Sequence, residues 1–184
     1  MNTEVNEKMT VHTMESAPAG SKPLLEGSIK SLGFIPNLHG VFAESPSALE
    51  AYQMLHGLFA SSSFNNDELT VIWQTINIEH NCHYCIPAHA AVAQMMKVDE
   101  SLTAALRGKT AMPTEKLQVL QNTTLSLVKN RGHITSDEMN AFFSAGYNKR
   151  NLLDIVLGIA QKVMSNYTNH ISNTPIDDAF KSFV

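Results

Sequence analysis

Glu79-His80-Asn81-Cys82-His83-Tyr84-Cys85-Ile86-Pro87-Ala88-His89 holds both cysteines of the chain and dictates where a helix must begin. Pro87 has no amide hydrogen and is tolerated only in a first helical turn. The spacing therefore predicts a helix that starts near residues 81–84 and runs to about Met96, with the cysteines at or just before its N-terminus. At about 100° per residue, Cys82 and His89 project within about 20° of each other, and Cys85 within about 60° of both. Two thiols and an imidazole then share one face where the helix field favours a thiolate. A thiolate is the form that attacks a peroxide oxygen or a disulfide sulfur, and the imidazole can carry the proton that moves, so the segment reads as a thiol redox site.

On either side of it apolar residues recur at helical spacing: Leu24, Leu25, Ile29 and Leu32, then Leu49, Tyr52, Leu55 and Phe59, then Leu69, Ile72, Trp73 and Ile76. Turn and cap signals fall between these runs at Gly33 with Pro36, Ser45-Pro46, Asn65-Asn66-Asp67 and Met112-Pro113-Thr114. Further helices are expected over 85–96, 100–106, 115–130, 136–145 and 149–168, and no run alternates in the manner of a strand. The expected fold is all-α: a single-domain helical bundle over residues 21–184, preceded by a flexible or strand-like N-terminal arm over residues 1–20. In the last helix Leu152, Val156, Ile159, Val163 and Tyr167 form one stripe, which Leu153, Leu157, Ala160 and Met164 widen beyond a single face. Such a helix needs cover on two sides, from the core or from a second subunit.

A chain of 184 residues can bury a full core without a disulfide staple, which leaves both cysteines free for chemistry. Thirteen Lys and Arg against 17 Asp and Glu give a formal charge of −4 with no basic cluster, which argues against nucleic acid. No run of 18 apolar residues exists and residues 1–20 carry no apolar leader, so the expected setting is cytoplasmic, away from a membrane. In a reducing compartment a Cys-x-x-Cys pair is more often catalytic or metal-binding than a structural bridge.

Glu68 and Glu79 lie eleven residues apart, about three helical turns, so one helix can aim both carboxylates the same way. Either can support His89 as a general acid or base; the plainer readings are a solvated first-turn residue and a helix-end surface residue. Cys82, Cys85 and His89 with His80 or His83 can also be counted as zinc ligands, but structural zinc sites usually gather ligands from two knuckles and only one is present. Inert burial of both cysteines is a third reading. No metal or other cofactor is expected.

Glu79-x-Asn81-Cys82-x-Tyr84-Cys85-x-x-Ala88-His89 resembles the signature of the alkyl hydroperoxidase D-like group within the carboxymuconolactone decarboxylase superfamily. Leu32-Gly33-Phe34-Ile35-Pro36-Asn37-Leu38, Ala43-Glu44-Ser45-Pro46 and Asn166-Tyr167-x-Asn169-His170-Ile171 with Asn173-Thr174-Pro175 are similar to its peroxidase-related branch. The resemblance implies an all-helical fold in symmetric oligomers, often trimers or hexamers, and cysteine-dependent peroxidase or disulfide reductase activity. It makes Cys85 the residue that attacks a hydroperoxide and becomes a sulfenic acid, Cys82 the one that resolves it to a disulfide, and His89 the proton relay. It suggests a lipoylated or thioredoxin-like thiol donor. Two positions depart from the family pattern. Tyr84 stands where a second histidine is usual, and Thr70 where a glutamate is usual, so Glu68, Glu79 and the Tyr84 hydroxyl become candidates for the missing proton-handling groups.

The expected activity is an antioxidant thiol peroxidase working through a Cys82/Cys85 dithiol cycle. The alternatives are a redox-responsive or zinc-holding binding module, and a decarboxylase-type lyase that would leave the cysteines idle. His170 is expected to lie outside the chemistry, with the 166–175 stretch closing the last helix.

Overall fold

The computed structural model describes residues 9–184, which form nine α-helices and two short 3-10 turns, with no strand among the described residues. Helices α1 (Lys22–Leu32), α2 (Asn37–Phe42), α3 (Pro46–Ala60) and α4 (Asn66–Glu79) precede the cysteine motif. Helices α5 (Cys85–Met95), α6 (Glu100–Gly108), α7 (Glu115–Lys129), α8 (Ser136–Ser144) and α9 (Lys149–Ser172) follow it. The all-α expectation holds, and the helices foreseen after the motif begin where their caps predict. Asp99, Thr114, Thr135 and Asn148 each accept a backbone N–H of the first turn, the last two in reciprocal capping boxes. Helix α2 was not foreseen, because six residues are too few to show a periodic stripe. It is held from the far end of the chain, where the Asp177 carboxylate accepts the Asn37 N–H at 3.0 and 3.2 Å.

Helix α4 is the hub and buries ten of its 14 residues. One core gathers Leu69, Ile72 and Ile76 of α4 with Phe59, Leu102, Leu120 and Phe142. A second packs Leu25, Leu38, Phe42, Leu49 and Tyr52 around Cys82, Tyr84 and Cys85. The cysteine motif is therefore built into a core and does not lie on a surface loop. Of the arm expected over 1–20, residues 1–8 lie outside the described residues, whereas the stretch around His12 is fastened to α2. Its N–H donates to the Gly40 carbonyl at 3.1 Å. A Cβ on Gly40 would meet the His12 carbonyl oxygen at 2.8 Å, so this approach needs glycine.

Helix α9 is turned the opposite way from ordinary amphipathic burial. Its buried residues are Asn151, Ile155, Gly158, Gln161, Lys162, Ser165, Asn166 and Asn169, of which Ile155 is the one large apolar side chain. Leu153, Val156, Tyr167 and Ile171 are instead 50–77% exposed. The stripe read from the sequence is thus only half buried, and the polar face points into the protein. Close approach makes this possible, since a Cβ on Gly158 would sit 2.7 Å from the fully buried Phe59 ring of α3. Gly158→Ala is expected to cost about 1–3 kcal/mol despite its better helix propensity. Urea unfolding should show a lower midpoint with an unchanged slope, and an unchanged midpoint would mean that α3 and α9 separate freely.

Candidate active site

The cysteines are placed by the way α4 ends. Asn81 takes a left-handed conformation (φ 51°) after the last turn. The Cys82 N–H then bonds back to the Asn77 carbonyl and the Asn81 N–H to that of Ile78, both at 3.0 Å, which closes a Schellman motif. Three residues later α5 starts at Cys85, whose N–H donates to the Cys82 sulfur at 3.2 Å. Cys82 thereby takes the part of a capping side chain. The sequence-derived placement, with the cysteines at or just before the helix N-terminus, agrees with this. His89 follows Cys85 by four residues and shares its face.

Side chains of α4 and α9 hold this corner. The Asn77 amide donates to the Cys85 carbonyl at 3.2 Å, Gln74 donates to the Ile86 carbonyl at 3.0 Å, and Asn166 donates to the Asn77 side-chain oxygen at 3.1 Å. The Asn169 amide reaches the Cys85 sulfur at 3.1 Å and the Cys82 sulfur at 3.9 Å. Lys162, 1% exposed, places Nζ 2.9 Å from Nε2 of the buried His89. Trp73 lies beside the His89 ring, with centroids 4.8 Å apart, and donates its indole N–H to Gln161 at 3.1 Å.

These contacts separate the two thiols. Burial pushes the Cys85 thiol up, but the hydrogen bond from Cys82, the charge of Lys162 and the amides of Asn166 and Asn169 outweigh it and bring the group below its ordinary value. Cys82 is raised, first by its hydrogen bond to Cys85, then by burial and by the charge on its neighbour. These effects favour the thiolate at Cys85 and the thiol at Cys82. Burial and the Lys162 charge keep His89 far below the ordinary imidazole range, so the ring is neutral. It accepts the lysine proton at Nε2 and carries its own on Nδ1, an atom with no hydrogen-bond partner among the described residues.

The structure does not bring Glu68 or Glu79 to the sulfurs. Glu68 closes the capping box of α4 with Asn65 and pairs with Lys116 at 2.9 Å. Glu79 faces a surface groove of about 390 Å³ together with Lys129, 3.5 Å away, and no cysteine lines that groove. Thr70 bonds to the Asn66 carbonyl. Tyr84 is buried, but its hydroxyl points at the C-terminal segment, donating to Asp177 at 2.5 Å and accepting the Leu38 N–H at 3.4 Å. His80 and His83 are engaged by Asn166 and the Thr174 carbonyl, and among the described residues no three His, Cys, Asp or Glu side chains gather to hold a metal ion. His170 is exposed. Lys162 and Gln161 were not singled out from sequence, and Asn169 was read only as part of the stretch that closes the last helix.

The sequence matches no protein-family model and no curated protein. Solved structures do match it over nearly the whole chain. An alkylhydroperoxidase AhpD core, an uncharacterized peroxidase-related protein of Ralstonia eutropha JMP134, has a TM-score of 0.81 at 18% identity over 92% of both chains. An uncharacterized peroxidase-related protein of Silicibacter sp. TM1040 has a TM-score of 0.80 at 18% identity, covering 98% of this chain and 97% of that one. The debrominase Bmp8 scores 0.80 at 18% identity over 97% and 96%, both in its apo form and as a cysteine-to-alanine variant in complex with 2,3,4-tribromopyrrole. At this identity the likeness establishes the fold, which is that of the alkylhydroperoxidase AhpD core, as the resemblance implied. No helix among the described residues is long and apolar enough to cross a membrane.

Two further histidines sit on the wall of the site. Burial lowers His39 and His56 to about 4, with the neighbouring His56 charge adding for the first and Lys162 for the second. The unfolded chain takes up protons near pH 6.5 and the folded one only near pH 4, so stability is complete above pH 6.5 and falls as pH drops through that window. The expected loss is roughly 1–3 kcal/mol for each ring. Thermal midpoints between pH 7 and about 4 should fall more steeply for the parent than for His56→Gln; parallel curves would show that the folded ring protonates freely.

Proposed function

We propose that this chain is a dithiol oxidoreductase that reduces hydroperoxides, with Cys85 as nucleophile, Cys82 as resolving thiol and His89 as proton relay. The observation that carries the reading is the pair of buried sulfurs sharing the Asn169 amide, where the Cys82 hydrogen bond and the Lys162 charge favour a thiolate at Cys85. The Cys85 thiolate attacks the distal oxygen of ROOH and becomes a sulfenic acid, while the departing alkoxide takes a proton and leaves as ROH. The Cys82 thiol then displaces the sulfenic oxygen as water, and a disulfide remains. A small dithiol donor, lipoylated or thioredoxin-like, returns it to the reduced form. One equivalent of an organic hydroperoxide should remove two thiols from the reduced parent. Cys82→Ser should accumulate a trappable sulfenic acid, and Cys85→Ser should react roughly 1,000-fold more slowly or not at all. Survival of the parent rate in Cys85→Ser would sink the assignment.

A second reading is favoured by the debrominase among the matching structures and by the aromatic wall of Tyr52 and Trp73. The same dithiol could reduce a halogenated aromatic ring, with Ar–Br and two thiols giving Ar–H, bromide, a proton and the disulfide. Bromide release from a bromopyrrole without consumption of an alkyl hydroperoxide would select it.

The outward apolar stripe of α9, continued by Met54 and Leu58 of α3, is the surface on which further copies of this chain pack in a trimer or hexamer. A monomer would leave Leu153, Val156, Tyr167 and Ile171 in water on one helix of 24 residues. Light scattering should give a multiple of 20.2 kDa for the parent and a single-subunit mass for Val156→Lys with Ile171→Glu, with helical signal unchanged. A monomeric parent would refute this.

A further inference from the structure

We infer that Lys162 is the proton store of the dithiol: Nζ holds a proton while Cys85 is a thiolate, gives it up through His89 when Cys85 is oxidised, and recovers it when the disulfide is reduced. The inference rests on the dithiol chemistry proposed above and adds the origin and fate of its proton.

Lys162 lies on the inward face of α9, and its one hydrogen-bond partner among the described residues is His89. The ion pairs of the described residues engage His12, Lys116, Lys129, Arg150 and Lys181, and none brings a carboxylate to Lys162. The titratable groups around it are His56 from α3, Cys85 and His89 from α5, and Cys82 from the turn before α5, with Tyr52 of α3 beside the two sulfurs. Both imidazoles are neutral and the phenol is held protonated by burial. The sulfur is therefore the one anion that faces the buried ammonium. A buried cation without a partner costs several kcal/mol, so the two charges exist together, made by one proton moved from sulfur to nitrogen.

Oxidation removes the anion and leaves the ammonium alone, so burial then expels its proton. The path is short. Nζ donates to Nε2 of His89 while Nδ1–H, unpartnered and buried, can donate onward. In the first step Cys85–S⁻, ROOH and Lys162–NH₃⁺ give Cys85–SOH, ROH and Lys162–NH₂. In the second, Cys82–SH and Cys85–SOH give the disulfide and water. A dithiol donor R(SH)₂ then returns Cys82–SH, Cys85–S⁻ and Lys162–NH₃⁺ and leaves as its own disulfide. The turnover closes without a proton taken from bulk water, which suits sulfurs that are 0% and 2% exposed.

The test is the midpoint potential of the Cys82/Cys85 couple in the full chain between about pH 6 and 8, with thiolate ultraviolet absorbance recorded on the reduced protein over the same range. For a two-electron couple each proton taken up on reduction contributes about 30 mV per pH unit. A store that refills on reduction predicts about 60 mV per pH unit while the thiolate absorbance stays flat, since Cys82 and Lys162 each take one proton. A flat absorbance with a slope of about 30 mV per pH unit would mean a lysine charged in both states and would overturn the inference alone. So would an absorbance that climbs through the range, because the sulfur would then keep its own proton. Lys162→Met should move the onset of thiolate absorbance up by two or more pH units, about a 100-fold loss of thiolate at pH 6. Lys162→Arg, which cannot release its proton, should restore a flat absorbance with the shallower slope. Should either variant fail to fold, the parent slope decides by itself. If no reversible couple forms, the dithiol chemistry fails and the inference falls with it.

Discussion

The inward polar face of α9 is the constraint on which the rest of this structure depends. A helix that buries Gln161, Lys162, Ser165, Asn166 and Asn169 needs partners for its polar groups, since each one left unpaired costs about 1–3 kcal/mol, and among the described residues Gln161 Nε2 and Asn169 Oδ1 are the atoms of this face left without one. The partners come from α4 and α5: the Trp73 indole meets Gln161, Asn77 meets Asn166, His89 meets Lys162, and the Cys85 sulfur meets Asn169. Those contacts set the angle at which α5 leaves α4 and thus where the sulfurs lie. The cysteine corner and the packing of the three helices are one network. Removing a member disturbs both the fold and the chemistry, which is why a potential or a thiolate signal is more informative here than loss of activity.

Helix positions were legible from local rules because caps and prolines act over one turn. Asn65 with Glu68, Thr135 with Glu138 and Asn148 with Asn151 announce helix starts through bonds that need no tertiary context, and Pro87 places the start of α5 within a few residues. The grouping of Cys82, Cys85 and His89 was legible for the same reason, the spacing lying within two turns. Orientation was not. Periodicity tells which residues share a face, and the inference that the apolar face points inward presumes that water covers the other. In α9 that presumption fails, so nothing in the pattern singled out Lys162, while Leu153 and Val156 of the apolar stripe stand in water. Glu68 and Glu79 misled in the complementary way. Their alignment on α4 is real, but a helix face says nothing about which neighbour it meets, and these carboxylates meet Lys116 and Lys129.

Lys162 acts on Cys85 with a field opposite in sign to that of the glutamate the resemblance leads one to expect at Thr70. A carboxylate beside a thiol disfavours the thiolate, so a glutamate-based relay keeps a protonated cysteine and must draw the proton off at the moment of attack. A lysine does the reverse and stores the thiolate in advance, at the cost of burying a cation. Thr70, bonded to the Asn66 carbonyl, leaves α4 with no charge at that position, so nothing there competes with the sulfur for the ammonium. The same choice accounts for the neutral histidines. A charged His56 or His89 beside Lys162 would add a second buried cation against a single anion, and burial together with the lysine charge holds both rings unprotonated. Neutrality leaves His89 Nε2 free to accept from Nζ while Nδ1 keeps its hydrogen, which is the arrangement the proposed relay requires.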